Sequence, residues 1–172
     1  LPIWRRRKSV FFYMPRGQPE LGKAIDAVKA ASVDCEAYIS DLGRDRAQAL
    51  AGPGFKIHGQ PQPFDRVIPE ARLIIHHGGL STAIAAVQAG TPQLIFPWNL
   101  EHLVTAKQVE TLGGSVIAEA DWSARKISDA VKKMVQDKPL AIRAGKAVDK
   151  VQLGAPEEAL KYVITRCDAL MG

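Results

Sequence analysis

With 172 residues, 47 % of them hydrophobic and 24 % charged, the chain is long enough to bury one substantial core and short for two. The net charge is +5 and only 6 % of residues are aromatic. The basic residues, Lys126, Lys132, Lys133 and Lys138 among them, are spread along helical patterns, so a solvated face is expected rather than a nucleic-acid surface. No stretch is long and apolar enough to span a bilayer, and Cys35 and Cys167 show no metal-ligand spacing and little support for a disulfide, so a metal-free cytoplasmic domain is expected.

In chain order, the basic run Arg5-Arg6-Arg7-Lys8 lacks the apolar core that a signal peptide needs. It reads as a charged entry to the first strand or a peripheral contact with acidic membrane lipid, and either is compatible with an interdomain linker. Residues 9–13 form a β-rich run that stops at Pro15-Arg16-Gly17, and residues 20–31 repeat apolar side chains at helical spacing through Leu21, Ala24, Ile25, Val28 and Ala31. Residues 35–40 read as a strand, 44–51 as a helix closed by Gly52-Pro53-Gly54, and 55–58 as a third strand. The turn-rich segment Gly59-Gln60-Pro61-Gln62-Pro63 leads to a short helix over 64–70, and strands follow at 72–76, 93–96 and 115–118. Residues 123–171 read as helical, with breaks at Lys138-Pro139 and Gly154-Ala155-Pro156. Alternation of this kind predicts an α/β fold, a Rossmann-like doubly wound parallel sheet of about six strands with helices on both faces. It places the loops at 14–17, 60–64, 76–82 and 97–102 on one rim, where such sheets bind ligands.

The densest chemistry lies at His76-His77-Gly78-Gly79-Leu80-Ser81-Thr82, between the apolar strand and a helix expected to begin near Ser81. Glycines let backbone amides approach an anion, hydroxyls at a helix start add donors, and the helix dipole favours negative charge there. A phosphate or diphosphate is the expected ligand, with Gly78, Gly79, Ser81 and Thr82 around it and His76 donating a ring N–H. His77 is expected on the opposite side of the strand end, packed structurally. The competing reading is a structural histidine pair ahead of an ordinary strand-to-helix turn.

This turn, the following Ala89-Gly90-Thr91-Pro92-Gln93-Leu94-Ile95-Phe96-Pro97, and Glu101-His102 with Ala106 together resemble the donor-binding signature of the UDP-glycosyltransferase superfamily, the GT-B enzymes of glycosyltransferase family 1. The resemblance is sharp from about Pro63 to Gly114. It implies the C-terminal half of a GT-B fold, with an N-terminal acceptor domain absent from these residues; the lack of an initiator Met fits a fragment. It further implies a UDP- or dTDP-sugar as donor substrate and no cofactor. His76 and the turn Gly78 to Thr82 would then hold the diphosphate, and Pro63 and its neighbours would border the base. Gln62 would bond a base edge and Phe64 pack beside it, although a core role for Phe64 is at least as good a reading. Gly17 belongs to the turn after the first strand, where Arg16 pairs with phosphate or simply faces solvent.

Glu101-His102 stands where the family usually carries Asp-Gln against sugar hydroxyls. Glu101 keeps the carboxylate on a longer arm and His102 substitutes one hydrogen bond for the amide's. The alternative is helix capping by Asn99 or Glu101. Leu80 and Ile84 also depart from common family residues. The implied chemistry is an inverting, metal-independent transfer of a hexose to an acceptor hydroxyl, with the general base in the other domain and no catalytic residue in this chain. The last helix, over 156–170, would cross to that domain. Rival readings are a non-catalytic nucleotide-binding or interaction module and a sugar-nucleotide epimerase-like domain; a dinucleotide dehydrogenase is disfavoured because no GxGxxG follows the first strand.

Overall fold

The computed structural model describes residues 9–151. The basic run at 5–8, Cys167, the break at 154–156 and the terminal helical pattern lie outside the described residues.

Six strands, β1 (Val10–Pro15), β2 (Cys35–Ser40), β3 (Phe55–Ile57), β4 (Leu73–His76), β5 (Gln93–Ile95) and β6 (Ser115–Ile117), form one sheet in the order β3-β2-β1-β4-β5-β6. Every pairing in it is parallel. Among the described residues, seven α-helices connect or follow them: α1 (Leu21–Ala30), α2 (Arg44–Leu50), α3 (Phe64–Glu70), α4 (Leu80–Gln88), α5 (Leu100–Thr111), α6 (Ala124–Gln136) and α7 (Lys138–Ala147). This is the expected doubly wound Rossmann-like architecture.

Alternation along β1 explains the layers. Val10, Phe12 and Met14 point into a core shared with α1 and α6, through Ala24, Ile25, Val28, Ile127 and Val131. Phe11 points the other way, onto Ile68 of α3 and Ala86 of α4. A strand covered on both faces must be apolar at every position, and Leu73, Ile74 and Ile75 of β4 are all fully buried. β1 runs two residues past the expected end because Met14 and Pro15 continue the register against Ile39 and Ser40.

The break at Lys138-Pro139 separates α6 from α7. Asp137 caps the second helix by accepting from the Leu140 N–H at 2.8 Å, and Pro139 stands in the first turn, where a missing N–H costs nothing. The strand order reverses between β1 and β4, so the loops leaving these two strands flank the topological switch point, the place where ligands settle in doubly wound sheets.

Candidate functional site

β4 delivers two adjacent histidines to this switch point, and their surroundings differ. His76 is fully buried. Its Nδ1 accepts the Gly78 N–H at 3.2 Å, and its Nε2 lies 2.9 Å from Oε1 of Gln93 on β5. Burial pushes the His76 pKa down to about 3, with the neighbouring rings of His77 and His102 adding to the fall and the Gln93 contact opposing it. The expectation that His76 presents a ring N–H to a diphosphate is therefore corrected: both nitrogens are engaged inside the fold.

His77 points the other way, as pleat alternation predicts, and is half-buried rather than enclosed. Its ring sits over Gly79, with Nε2 2.9 Å from where a Cβ on that residue would stand. It meets the His102 ring edge-on at 4.8 Å and the Tyr13 ring at 5.6 Å. Its Nδ1 is buried without a hydrogen-bond partner. Desolvation and the nearby His102 lower its pKa, and the main chain of Tyr13 partly opposes this.

The turn itself is shaped by its glycines. Gly78 has φ +95°, and a Cβ there would lie 3.0 Å from the His102 carbonyl oxygen and 3.2 Å from Ile95 Cγ2, so only glycine fits between β5 and α5. Gly79 is the N-cap of α4, which starts one residue earlier than expected, at Leu80. The amides of Leu80, Ser81 and Thr82 open that helix with no intrahelical acceptor. Ser81 is exposed, whereas Thr82 is buried at 4 % exposure, which turns one of the two expected hydroxyls inward.

α5 supplies the facing wall. Asn99 is its N-cap, accepting the His102 N–H through Oδ1 at 2.8 Å. Capping thus falls to Asn99, and Glu101 stands exposed in the first turn with its carboxylate outside the cap. Burial lowers the His102 pKa, Glu101 opposes the shift, and the His102 Nδ1 is a second buried nitrogen without a partner.

Four residues passed over in the sequence complete the rim. Tyr13 stacks on Tyr38 at 6.0 Å and links to His77, while Trp98 lies 6.2 Å from the His102 ring. A row of rings therefore crosses the sheet end from Tyr38 through Tyr13, His77 and His102 to Trp98. Gln18, 3 % exposed, donates Nε2 to the Phe96 carbonyl at 3.0 Å and leaves Oε1 buried and unpaired. No local pattern marks Gln18, because its partner is 78 residues away. Gly17 and Arg16 are exposed on the same rim, and a Cβ on Gly17 would stand 3.9 Å from the Trp98 ring.

The residues expected to border the base are partly separate. Phe64 packs edge-on against Tyr13 at 5.2 Å and Phe11 at 6.4 Å, the core role weighed against base packing. Pro63 is the exposed N-cap of α3, and Gln62 donates to the Gln60 carbonyl in its own loop. Among the described residues, no group of three or more His, Cys, Asp or Glu side chains is placed to hold a metal ion. No described helix is long and apolar enough to cross a membrane. Cys35 is a free, buried thiol whose pKa is raised by burial.

The Erythromycin biosynthesis protein CIII-like, C-terminal domain family matches residues 28–169. The chain belongs to that family. Among similar curated proteins, the O-mycaminosyltylonolide 6-deoxyallosyltransferase of Streptomyces fradiae is 24 % identical over 155 residues, which covers 83 % of this chain and 37 % of that protein. A sterol 3-beta-glucosyltransferase of Vanderwaltozyma polyspora is 33 % identical over 82 residues, 48 % of this chain and 7 % of its own length. The fold is that of the spinosyn rhamnosyltransferase SpnG, with a TM-score of 0.72 at 22 % identity over 86 % of this chain and 43 % of that one. The same enzyme has been solved complexed with thymidine diphosphate, where the TM-score is 0.69. The chain thus spans less than half the length of these relatives.

Proposed function

We propose that this chain is the nucleotide-sugar-binding half of an inverting, metal-independent glycosyltransferase that takes a UDP- or dTDP-sugar and passes the hexose to an acceptor hydroxyl. The observation that carries the proposal is the placement of His77, a half-buried histidine whose Nε2 lies over a glycine N-cap at the switch point. A diphosphate there would receive the ring N–H of His77, the opening amides of α4 and the Ser81 hydroxyl, with the helix dipole adding to the attraction. Family membership and the thymidine diphosphate bound by a protein of the same fold support the ligand class.

In the transfer, the acceptor oxygen forms a bond to the anomeric carbon as the bond from that carbon to the diphosphate oxygen breaks. The acceptor proton goes to a base outside this chain, in a second domain that binds the acceptor. Negative charge grows on the departing diphosphate, where the helix start and His77 stabilise it. Glu101 and His102, on the wall opposite, are assigned to the sugar hydroxyls.

Calorimetric titration with UDP and dTDP, with EDTA and with Mg2+, tests this reading. Binding of at least one nucleotide, equal in both media, is expected. His77→Ala should weaken it by about 1.5–3 kcal/mol, the range for one charge-assisted hydrogen bond. Metal-dependent binding, or a His77→Ala variant that binds normally, would refute the assignment.

A further inference from the structure

We infer that His76 is a positioning residue for the diphosphate site, acting as a neutral hydrogen-bond clamp that fixes the Gly78 amide and thereby the path of the turn that carries His77. The inference rests on the donor-site reading for its functional meaning and on geometry for the clamp itself.

The proton inventory is closed by the contacts. A backbone N–H can only donate, so the Nδ1 that faces Gly78 at 3.2 Å must carry a lone pair. The ring proton then resides on Nε2 and is donated to Oε1 of Gln93 at 2.9 Å. A protonated ring would place a second N–H against the Gly78 amide, donor against donor. Full burial and the depressed pKa keep the ring neutral.

The clamp has a directional consequence. It turns the Gly78 amide inward, so that this N–H is withdrawn from any anion, contrary to what the glycine turn alone implies. With φ +95° and its Cα face pressed on the His102 carbonyl, Gly78 is held from both sides, between β4 and α5. The chain leaving this fixed point presents the His77 ring and the α4 amides outward. Gln93 couples the arrangement to β5, whose register against β4 pairs His76 with Ile95.

Two variants of the 172-residue chain separate the clamp from simple core packing. His76→Leu and His76→Asn both deprive Gln93 of its partner, so that loss is common to the two. They differ at Gly78: the Asn Oδ1 is bonded to Cγ as Nδ1 is, and an Asn accepting from the amide two residues on is the ordinary Asx turn, whereas Leu offers no acceptor. UDP and dTDP titrations are made at a temperature where circular dichroism shows each variant folded. His76→Leu should bind roughly tenfold or more weakly, since a buried amide is left unpaired at the turn. His76→Asn should recover most of that loss. Equal binding by wild type and His76→Leu, or equal weakening in both variants, overturns the inference. A readout that needs no ligand is the imidazole tautomer from 15N–1H correlation spectra. A neutral His76 with the proton on Nε2 between pH 5 and 8 is expected, and a proton on Nδ1 or a titrating ring refutes the clamp. If the wild type binds neither nucleotide, the donor reading fails, and the tautomer still decides whether the clamp exists.

Discussion

Gly79→Ala separates the proposed diphosphate site from the stability of the fold. Gly79 has φ −59° and ψ 134°, which any L residue adopts, so the backbone tolerates the change. Alanine is a poorer N-cap than glycine by several tenths of a kcal/mol, and reduced freedom of the unfolded chain returns about 0.4–1 kcal/mol. Net stability should therefore move by less than about 1 kcal/mol, or roughly 2–4 °C in Tm for a chain of this size. The added methyl, however, would stand 2.9 Å from His77 Nε2. Ordinary contact needs about half an ångström more, so the ring must swing away from the helix start. It cannot retain a hydrogen bond of about 2.8 Å to a diphosphate held by the α4 amides. Loss of that bond costs about 1.5–3 kcal/mol, or roughly 10- to 150-fold in Kd. The assay is calorimetric titration with UDP and dTDP beside thermal unfolding of the same preparations. Gly78→Ala is the control: its positive φ and the 3.0 Å approach to the His102 carbonyl should lower stability by about 2 kcal/mol or more. Wild-type affinity in Gly79→Ala would show that His77 does not touch the ligand.

Glu101→Ala should weaken a nucleotide sugar by about 1–3 kcal/mol and leave the free diphosphate unchanged, because the carboxylate stands on α5 and not on the phosphate turn; parallel titrations with sugar nucleotide and UDP or dTDP check it. The depressed pKa of His76 makes the fold acid-sensitive. The unfolded ring binds a proton near pH 6.5 and the folded ring only near pH 3, so this stability is present above 6.5 and is lost as pH falls, by about 2 kcal/mol between pH 7 and 5. The lowered pKa values of His77 and His102 act with the same sign, and urea midpoints should fall over this window, less steeply in His76→Leu. Asn99→Ala removes the α5 cap and should cost about 1 kcal/mol in chemical denaturation while loosening the turn that carries Glu101 and His102.

The alternation of strands and helices was legible because buried parallel strands leave apolar runs and Gly or Pro punctuates the loops, so element order and the loops that share the switch-point rim could be read directly. The glycine turn between β4 and α4 was legible for the same reason. Which of two adjacent histidines faces inward was not. Pleat alternation says only that His76 and His77 point apart, and the choice is made by Gln93, 17 residues on in a strand whose register is a tertiary fact. Phe64 shows the same limit: beside a base or inside the core it satisfies the same local pattern, and the rings of Phe11 and Tyr13 decide. Asn99 was legible as a capping candidate because a side-chain acceptor ahead of a helical apolar pattern is a local signal.

The central place of β1 has a consequence for how the chain acquires its site. β1 pairs with β2 from the following unit, but its other edge waits for β4, with Val10 opposite Leu73. Contacts of such separation form slowly, since loop closure must precede any gain from pairing. The two loops that flank the switch point leave β1 and β4, so their juxtaposition cannot exist on a folding intermediate that holds only β1, β2 and β3. If the proposed nucleotide site is right, nucleotide added during refolding should leave the rate of the earlier steps unchanged and slow only the unfolding of the completed sheet, which would make its binding a kinetic marker for the insertion of β4.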